Sequence, residues 1–128
     1  QLEAIAPVTA VLGNNDASPA FPLTQVVTLG ARKFLIHHIV TPRELHSDLK
    51  LRIARERPDA VVFGHSHKRF SEVIDGIHFL NPGYAGKPRF NQPRSVALLE
   101  SDERGLRADR LPAEPRRLFR IRMPGSNR

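Results

Sequence analysis

Six short apolar runs, each bounded by turn-forming residues, constrain the fold of this 128-residue chain more than any other feature. They are rich in β-branched residues and only four to six residues long, which is typical of strands rather than helices. The predicted strands cover residues 8–12, 25–29, 33–37, 60–63, 77–80 and 95–100. Gly30 with Ala31, and Asp75 with Gly76, fit tight hairpin turns because these residue types accept the backbone angles that such turns need.

One helix is predicted at about residues 42–57, between the third and fourth strands. Thr41 is a good N-cap residue, Pro42 suits the first helical position, and Glu44 completes a capping box. Pro58 ends the helix. Its apolar stripe is formed at four-residue spacing by Leu45, Leu49 and Ile53. The succession of strand, helix and apolar strand predicts an α/β fold.

The net charge of +7 is concentrated towards the C-terminus. From Arg104 onward the chain has eight Arg and two acidic residues, so residues 1–103 are close to neutral. Residues 112–128 combine Pro, Gly and Arg with few apolar residues, and this composition predicts a flexible tail. The sequence therefore predicts one domain at residues 1–111. It argues against a nucleic-acid-binding body and leaves a tail contact with a phosphate backbone or an acidic partner as the alternative.

Cysteine is absent, which excludes disulfides and thiolate metal ligands. Any metal must therefore bind His, Asn, Asp or Glu. No apolar run approaches the roughly 18 residues that a membrane-spanning helix needs, so we expect no membrane contact. A cytoplasmic setting is compatible with this composition and is the expectation.

Polar clusters follow four of the predicted strands. They contain Asn14 and Asp16, then His37, then His65 and His67 after Gly64, and finally Asn81 and Gly83. Imidazoles and an amide oxygen are suitable ligands for divalent ions, and a neighbouring carboxylate can orient a ligand or solvent. If the turn after Gly64 is extended, its two histidines point to one side. Each cluster alone also fits an ordinary turn or surface histidine, but agreement among four strand ends favours a shared site.

Four motifs in order resemble those of small bacterial and archaeal phosphodiesterases of the calcineurin-like metallophosphoesterase superfamily. They are Gly-Asn-Asn-Asp at 13–16, Ile-His at 36–37, Gly-His-Ser-His at 64–67 and Asn-Pro-Gly at 81–83. The resemblance covers about residues 8–100 and implies part of a four-layer αββα sandwich with two metals at the sheet ends. It implies that Asn14, His37 and His65 bind one metal and His67 the other. Mn²⁺ is the expected ion, with Ni, Fe or Zn as alternatives.

The resemblance implies hydrolysis of a phosphodiester by a metal-activated hydroxide, with Asp16 and His65 in the catalytic machinery. The predicted contacts to the phosphate are made by Asn81, Gly83 and Arg89, although a solvated loop position is an equal alternative for the arginine. Asn15 stands where many relatives have a histidine that acts as general acid. Esters with activated leaving groups are therefore the favoured substrates.

The family's Asp-x-His and Gly-Asp turns have no counterpart before Gly13. The resemblance therefore implies that the N-terminal βα units are missing from this chain or lie on another chain, and that a longer natural chain, a partner or an oligomer completes the site. We expect a homo-oligomer, or a partner chain, to cover the exposed sheet edge. A metal-dependent phosphoesterase is the preferred function. A non-catalytic interaction scaffold of the same fold is the alternative, and a basic nucleic-acid-binding module is the third hypothesis.

Overall fold

A computed structural model describes residues 2–14, 21–87 and 93–112 of the chain. After a short 3-10 turn at Leu2–Ala4 come strands β1 (Thr24–Leu29) and β2 (Arg32–His37), helix α1 (Ser47–Glu56), and strands β3 (Ala60–Val62), β4 (Phe70–Ile74), β5 (Ile77–Asn81), β6 (Ser95–Asp102) and β7 (Gly105–Pro112). The predicted α/β class is confirmed. Among the described residues, no helix has the length and apolar character to cross a membrane.

The main sheet has five strands in the order β1-β2-β3-β5-β4. Strands β2, β3 and β5 run parallel to one another, and β1 and β4 are antiparallel to their neighbours. Both predicted hairpins are confirmed. Gly30 has a φ of 61° in the first, and Asp75 and Gly76 have φ of 52° and 79° in the second. The second turn thus has the two consecutive positive φ angles that the commonest two-residue hairpin turn requires.

Helix α1 covers one face of this sheet. Its residues Leu49 and Ile53 are buried and pack with Leu35, Val61 and Phe79 from the three parallel strands. The predicted stripe of leucine and isoleucine therefore forms the centre of the core. Because side chains alternate along a strand, the neighbouring positions of the same strands lie on the other face of the sheet.

The predicted start of the helix is wrong. α1 begins at Ser47, and its N-cap residue is His46, whose side chain makes no capping hydrogen bond. The N–H of Glu44 instead donates to the C=O of Thr41 at 3.0 Å, so the residues of the predicted capping box form a separate turn. A capping box is a local preference of about 1 kcal/mol, which tertiary packing can outweigh.

The prediction of a strand at residues 8–12 is also wrong. This segment has no regular structure, and it is held by hydrogen bonds from the N–H of Leu12 to the C=O of Pro22 and from Gln25 to the C=O of Ala10. A strand forms only where another strand pairs with it. Strands β4 and β7 were not predicted, because their polar residues interrupt the apolar runs on which the predictions depended.

Strands β6 and β7 form a separate two-stranded sheet within the described part of the chain. Leu99 of β6 faces Val27, Phe34 and Val62 of the main sheet across a cavity of about 530 Å³. The residues that line this cavity are mostly apolar, so the two sheets pack face to face around it. One helix layer and two sheet layers are thus visible, and the complete four-layer sandwich remains a prediction.

Candidate metal centre

Three neighbouring parallel strands bring polar residues to the same edge of the main sheet. β2 ends at His37, β3 leads into the turn at Gly64, and β5 ends at Asn81. Asn14 comes to this edge from the N-terminal segment. The carboxyl ends of parallel strands are the usual place for ligand sites in α/β proteins, since the loops that follow them meet there.

Asn14, His38 and His65 converge at this edge. The Oδ1 atom of Asn14 accepts hydrogen bonds from Nε2 of His38 at 2.9 Å and from Nδ1 of His65 at 3.2 Å. The two imidazole rings meet edge to face, with centroids 5.2 Å apart and planes at 79°. Asn14 and His65 are exposed and His38 is half-buried, so solutes can reach all three donor atoms.

The spacing of the three donor atoms fits neighbouring ligands around one divalent cation. Metal–ligand distances of about 2.0–2.1 Å place adjacent donors about 2.8–3.4 Å apart in octahedral or tetrahedral geometry. The observed separations of 2.9 and 3.2 Å lie within that range. A neutral imidazole can turn either ring nitrogen into a ligand by moving its proton. No group of three or more His, Cys, Asp or Glu within the described ranges could hold a metal, so the donor set is one amide and two imidazoles.

His37, the predicted ligand, has a different environment. Its Nδ1 lies 2.8 Å from Oγ1 of Thr24, which is its partner across the β1–β2 pair. Desolvation by burial lowers the pKa of His37, and a backbone hydrogen bond with Leu23 opposes that shift. Adjacent residues at a strand end face different sides. The structure shows a hydrogen bond between His38 and Asn14, and the assignment of His37 as a metal ligand stays a prediction.

The turn that contains His65 and His67 is not extended, so the condition under which the two histidines would point to one side is not met. Both histidines have left-handed backbone angles, with φ of 67° and 61°. The N–H of Ser66 donates to the C=O of Gly64 at 2.8 Å, which tightens the turn. Left-handed backbone angles cost a residue other than glycine about 1–2 kcal/mol, so contacts outside the turn must hold this geometry. His65 and His67 consequently have different neighbours.

His67 lies against Tyr84, the residue that follows Asn-Pro-Gly. The two rings stack with centroids 3.8 Å apart and planes within 6° of parallel. A side chain on Gly86 would overlap the Tyr84 ring, so the absence of one leaves space for the tyrosine. Tyr84 was not singled out in the sequence, because an aromatic residue after a turn carries no pattern that predicts its partner.

Asn81 forms hydrogen bonds that hold the histidine turn, residues 64–67. Its side chain is completely buried. Nδ2 donates to the C=O of Gly64 at 3.1 Å and to Oγ of Ser66 at 3.2 Å, and Oδ1 accepts from the N–H of Gly83 at 3.0 Å. These bonds link the turn after β3 to the turn after β5. Because these polar atoms are engaged inside the protein, they give Asn81 a positioning role, and its predicted contact with the substrate phosphate stays a prediction.

Packing and backbone conformation restrict position 83 to glycine. Its φ of 91° is left-handed, and a Cβ added there would overlap Oγ of Ser95 and approach Cγ of Arg69. Ser95 is buried and donates from Oγ to the C=O of Pro82 at 2.7 Å. The N–H of Gly83, predicted to face a phosphate, donates a hydrogen bond to Oδ1 of Asn81.

Some predictions concern residues outside the described part of the chain. These residues are Asn15, Asp16 and Arg89, together with residues 113–128 of the predicted tail, and their assignments stay predictions.

A family model for the calcineurin-like phosphoesterase superfamily domain matches residues 1–104. The chain belongs to this superfamily. The match includes all the described residues of the candidate centre, from Asn14 to Tyr84, and thereby confirms the family that the four motifs indicated.

Individual proteins of the superfamily show similarity over most of the chain. It is 33% identical over 98 residues to the probable metallophosphoesterase YsnB of Bacillus subtilis, a match that covers 75% of this chain and 58% of YsnB. The crystal structure of a predicted phosphoesterase from Streptococcus pneumoniae superposes with a TM-score of 0.68 at 26% identity, covering 80% of this chain and 61% of that one. The chain thus spans less than two thirds of the length of these relatives.

A further superfamily structure is a metal complex. Wild-type Vps29 of Entamoeba histolytica, complexed with Zn²⁺, superposes with a TM-score of 0.64 at 25% identity. The match covers 88% of this chain and 73% of Vps29. Divalent-metal binding therefore occurs within the superfamily, in a protein of the same fold.

Proposed function

We propose that this superfamily member is a metal-dependent phosphodiesterase whose described residues form one side of the metal centre. Asn14, His38 and His65 are the proposed ligands of one divalent ion, with Mn²⁺ the preferred ion and Ni, Fe or Zn as alternatives. The observation that carries the proposal is the convergence of their three donor atoms at 2.9 and 3.2 Å. Similarity to metallophosphoesterases supports it.

The proposed ligands suit a site for an anionic substrate. A bound divalent ion supplies Lewis-acid activation of water and neutralisation of phosphate charge. The amide of Asn14 and the neutral imidazoles of His38 and His65 carry no charge. They therefore do not offset the positive charge with which the bound ion would attract a phosphodiester. Asn81 and the hydrogen bonds of its turn hold His65 in position before substrate arrives. Such preorganisation reduces the ordering that binding would otherwise require.

A second ion would need donors in addition to these three. His67 is this chain's proposed contribution to it, and the stack on Tyr84 fixes the orientation of the ring. Asp16 retains its predicted role of orienting a ligand or solvent. The remaining donors would come from residues beyond the described ranges or from a partner or second copy, as the sequence motifs imply.

Hydrolysis of bis(4-nitrophenyl) phosphate tests the proposal. We expect the chain with added Mn²⁺ to release 4-nitrophenolate, and we expect the His65→Ala variant to lose at least about 100-fold in rate because a metal ligand is removed. His78→Ala is the matched control, since His78 lies near the start of β5, at the opposite end of that strand from Asn81, and its ring bonds to Ser71. Equal rates for the wild type and His65→Ala would refute the assignment.

A non-catalytic interaction scaffold is the second candidate. Structural similarity to Vps29, whose name denotes vacuolar protein sorting rather than hydrolysis, favours it. So does the donor set of the described residues, which contains no carboxylate cluster. A folded chain that binds Mn²⁺ but releases no 4-nitrophenolate would support the scaffold over the enzyme.

A further inference from the structure

A cavity of about 510 Å³ adjoins the candidate metal centre between α1 and the β1–β2 pair. It shares Leu23, His37 and Ile39 with a smaller cavity of about 100 Å³ that is lined by Asn14 and His38. A group in the larger cavity could therefore continue directly towards the proposed metal ligands. Small-molecule sites typically have volumes of about 300–1,000 Å³, so the size suits part of a substrate.

Three apolar side chains form walls of this cavity. Leu49 belongs to the core and is 7% exposed, whereas Leu23 and Ile39 are 66% and 48% exposed. Aliphatic side chains as exposed as these two lose unfavourable contact with water when a ligand covers them. A flat apolar or aromatic group would gain the most from walls of this kind.

Polar residues line the rest of the cavity, namely Thr24, His37 and His46 together with the charged α1 residues Asp48 and Arg52. Arg52 and Asp48 are one helical turn apart, and Nε of Arg52 lies 3.4 Å from Oε1 of Glu56. The one guanidinium of the lining is therefore close to carboxylates of its own helix, so these charged residues offer no net attraction to a second phosphate or another anion. An uncharged group with both hydrogen-bond donors and acceptors is better suited to Arg52 and Asp48.

We propose that this cavity, the base pocket, binds an uncharged planar heteroaromatic group of the kind that a nucleobase presents. The ring packs against Leu23, Ile39 and Leu49, and its polar edge bonds to Asp48 and Arg52. The role of the base pocket in holding a substituent of the phosphoester rests on the proposed function, since a phosphoester held by Asn14, His38 and His65 would extend into this pocket. The binding of the ring itself depends only on the pocket.

Adenosine, without phosphate or metal, is the first probe. In NMR titrations we expect it to shift the backbone amide signals of Thr24 and Ile39 in a saturable manner, and we expect ribose alone to leave them unchanged. Arg52→Gln should weaken adenosine binding about fivefold, the equivalent of one hydrogen bond of about 1 kcal/mol. Arg55→Gln is the matched control, because Arg55 is on the same helix, is not a lining residue and has a 70% exposed side chain. Amide shifts with ribose equal to those with adenosine, or equal losses of adenosine affinity in the two arginine variants, would refute the proposed binding of the ring.

Hydrolysis separates the pocket from the proposed function. We expect thymidine 5′-(4-nitrophenyl phosphate) to have a lower KM than bis(4-nitrophenyl) phosphate, and Asp48→Asn to remove that difference. Adenosine binding without any hydrolysis supports the pocket and counts against the phosphodiesterase. Hydrolysis of both esters with the same KM, together with no adenosine-induced shifts, overturns the pocket and leaves the phosphodiesterase intact.

Discussion

Asn14 and Asn81 are two asparagines of the same site with opposite environments. Asn14 is exposed, and its Oδ1 faces two imidazoles. Asn81 is completely buried and bonds to Gly64, Ser66 and Gly83. The first can exchange its hydrogen bonds for a metal, whereas the second cannot turn towards a ligand without leaving buried polar groups unsatisfied. Their substitutions should therefore affect different properties of the protein.

Replacing each asparagine by alanine separates binding from stability. We expect Asn81→Ala to lower the free energy of unfolding by about 2–3 kcal/mol, because it strands buried hydrogen-bonding groups. We expect Asn14→Ala to change it by less than about 0.5 kcal/mol, as is usual for an exposed position. Urea denaturation at equilibrium measures both. A loss of stability in Asn14→Ala as large as that in Asn81→Ala would contradict this division of roles.

The adjacent histidines offer a second comparison at the residue scale. We expect His38→Ala to weaken Mn²⁺ binding at least about tenfold, because a proposed ligand is lost. His37→Ala should weaken it less than about threefold, since the His37 ring bonds to Thr24 instead. Isothermal titration calorimetry with Mn²⁺ measures both affinities. The reverse order of effects would restore His37 to the ligand set.

At the scale of elements, the turns and the strands differ in how far the sequence predicts them. The hairpins at Gly30 and at Asp75 with Gly76 are set by local backbone preferences, and both predictions are confirmed. Residues 8–12 are as apolar as a strand, but a strand depends on its neighbours, which a local pattern does not reveal. The strand ends predicted which polar residues meet at one sheet edge, whereas the hydrogen bond between Asn14 and His38 depends on the geometry of the chain beyond β2.

Two glycines in left-handed turns allow steric overlap to be separated from backbone strain. A Cβ on Gly30 would meet no atom within 4 Å, so Gly30→Ala should cost only the left-handed backbone penalty of about 1–2 kcal/mol. Gly83→Ala adds overlap with Ser95 and should cost more than about 3 kcal/mol in total. Thermal and urea unfolding of the two variants provide the comparison. Similar losses in both would show that Ser95 and Arg69 move aside without cost.

At the scale of the whole molecule, the described structure leaves apolar surface exposed. Val96, Leu98 and Leu111 are 40%, 48% and 46% exposed. Val96 and Leu111 are cross-strand partners in the β6–β7 sheet, and Leu98 lies two residues along the same face. An apolar sheet face of this kind is characteristic of an interface.

We therefore predict that the chain self-associates through the outer face of β6 and β7. Leu98→Lys should shift the population towards monomer, because a buried charge would oppose the contact. Glu103→Lys is the control, since it changes the charge of an exposed residue in the β6–β7 turn without removing apolar surface. Light scattering coupled to size-exclusion chromatography gives the mass of each species. A wild-type chain that is monomeric across a tenfold range of concentration would disprove the prediction.

The hydrogen bond from Ser95 to Pro82 has a consequence for how the site responds to sequence change. It ties the start of β6 to the turn after β5, and Asn81 ties that turn to the histidine turn after β3. A displacement of the second sheet would be passed along this chain of contacts to His65. Substitutions that displace the β6–β7 sheet would thus alter the affinity of the proposed metal site. A genetic screen for altered metal affinity would then identify Ser95, although its own hydrogen bonds go to Pro82 and Tyr84.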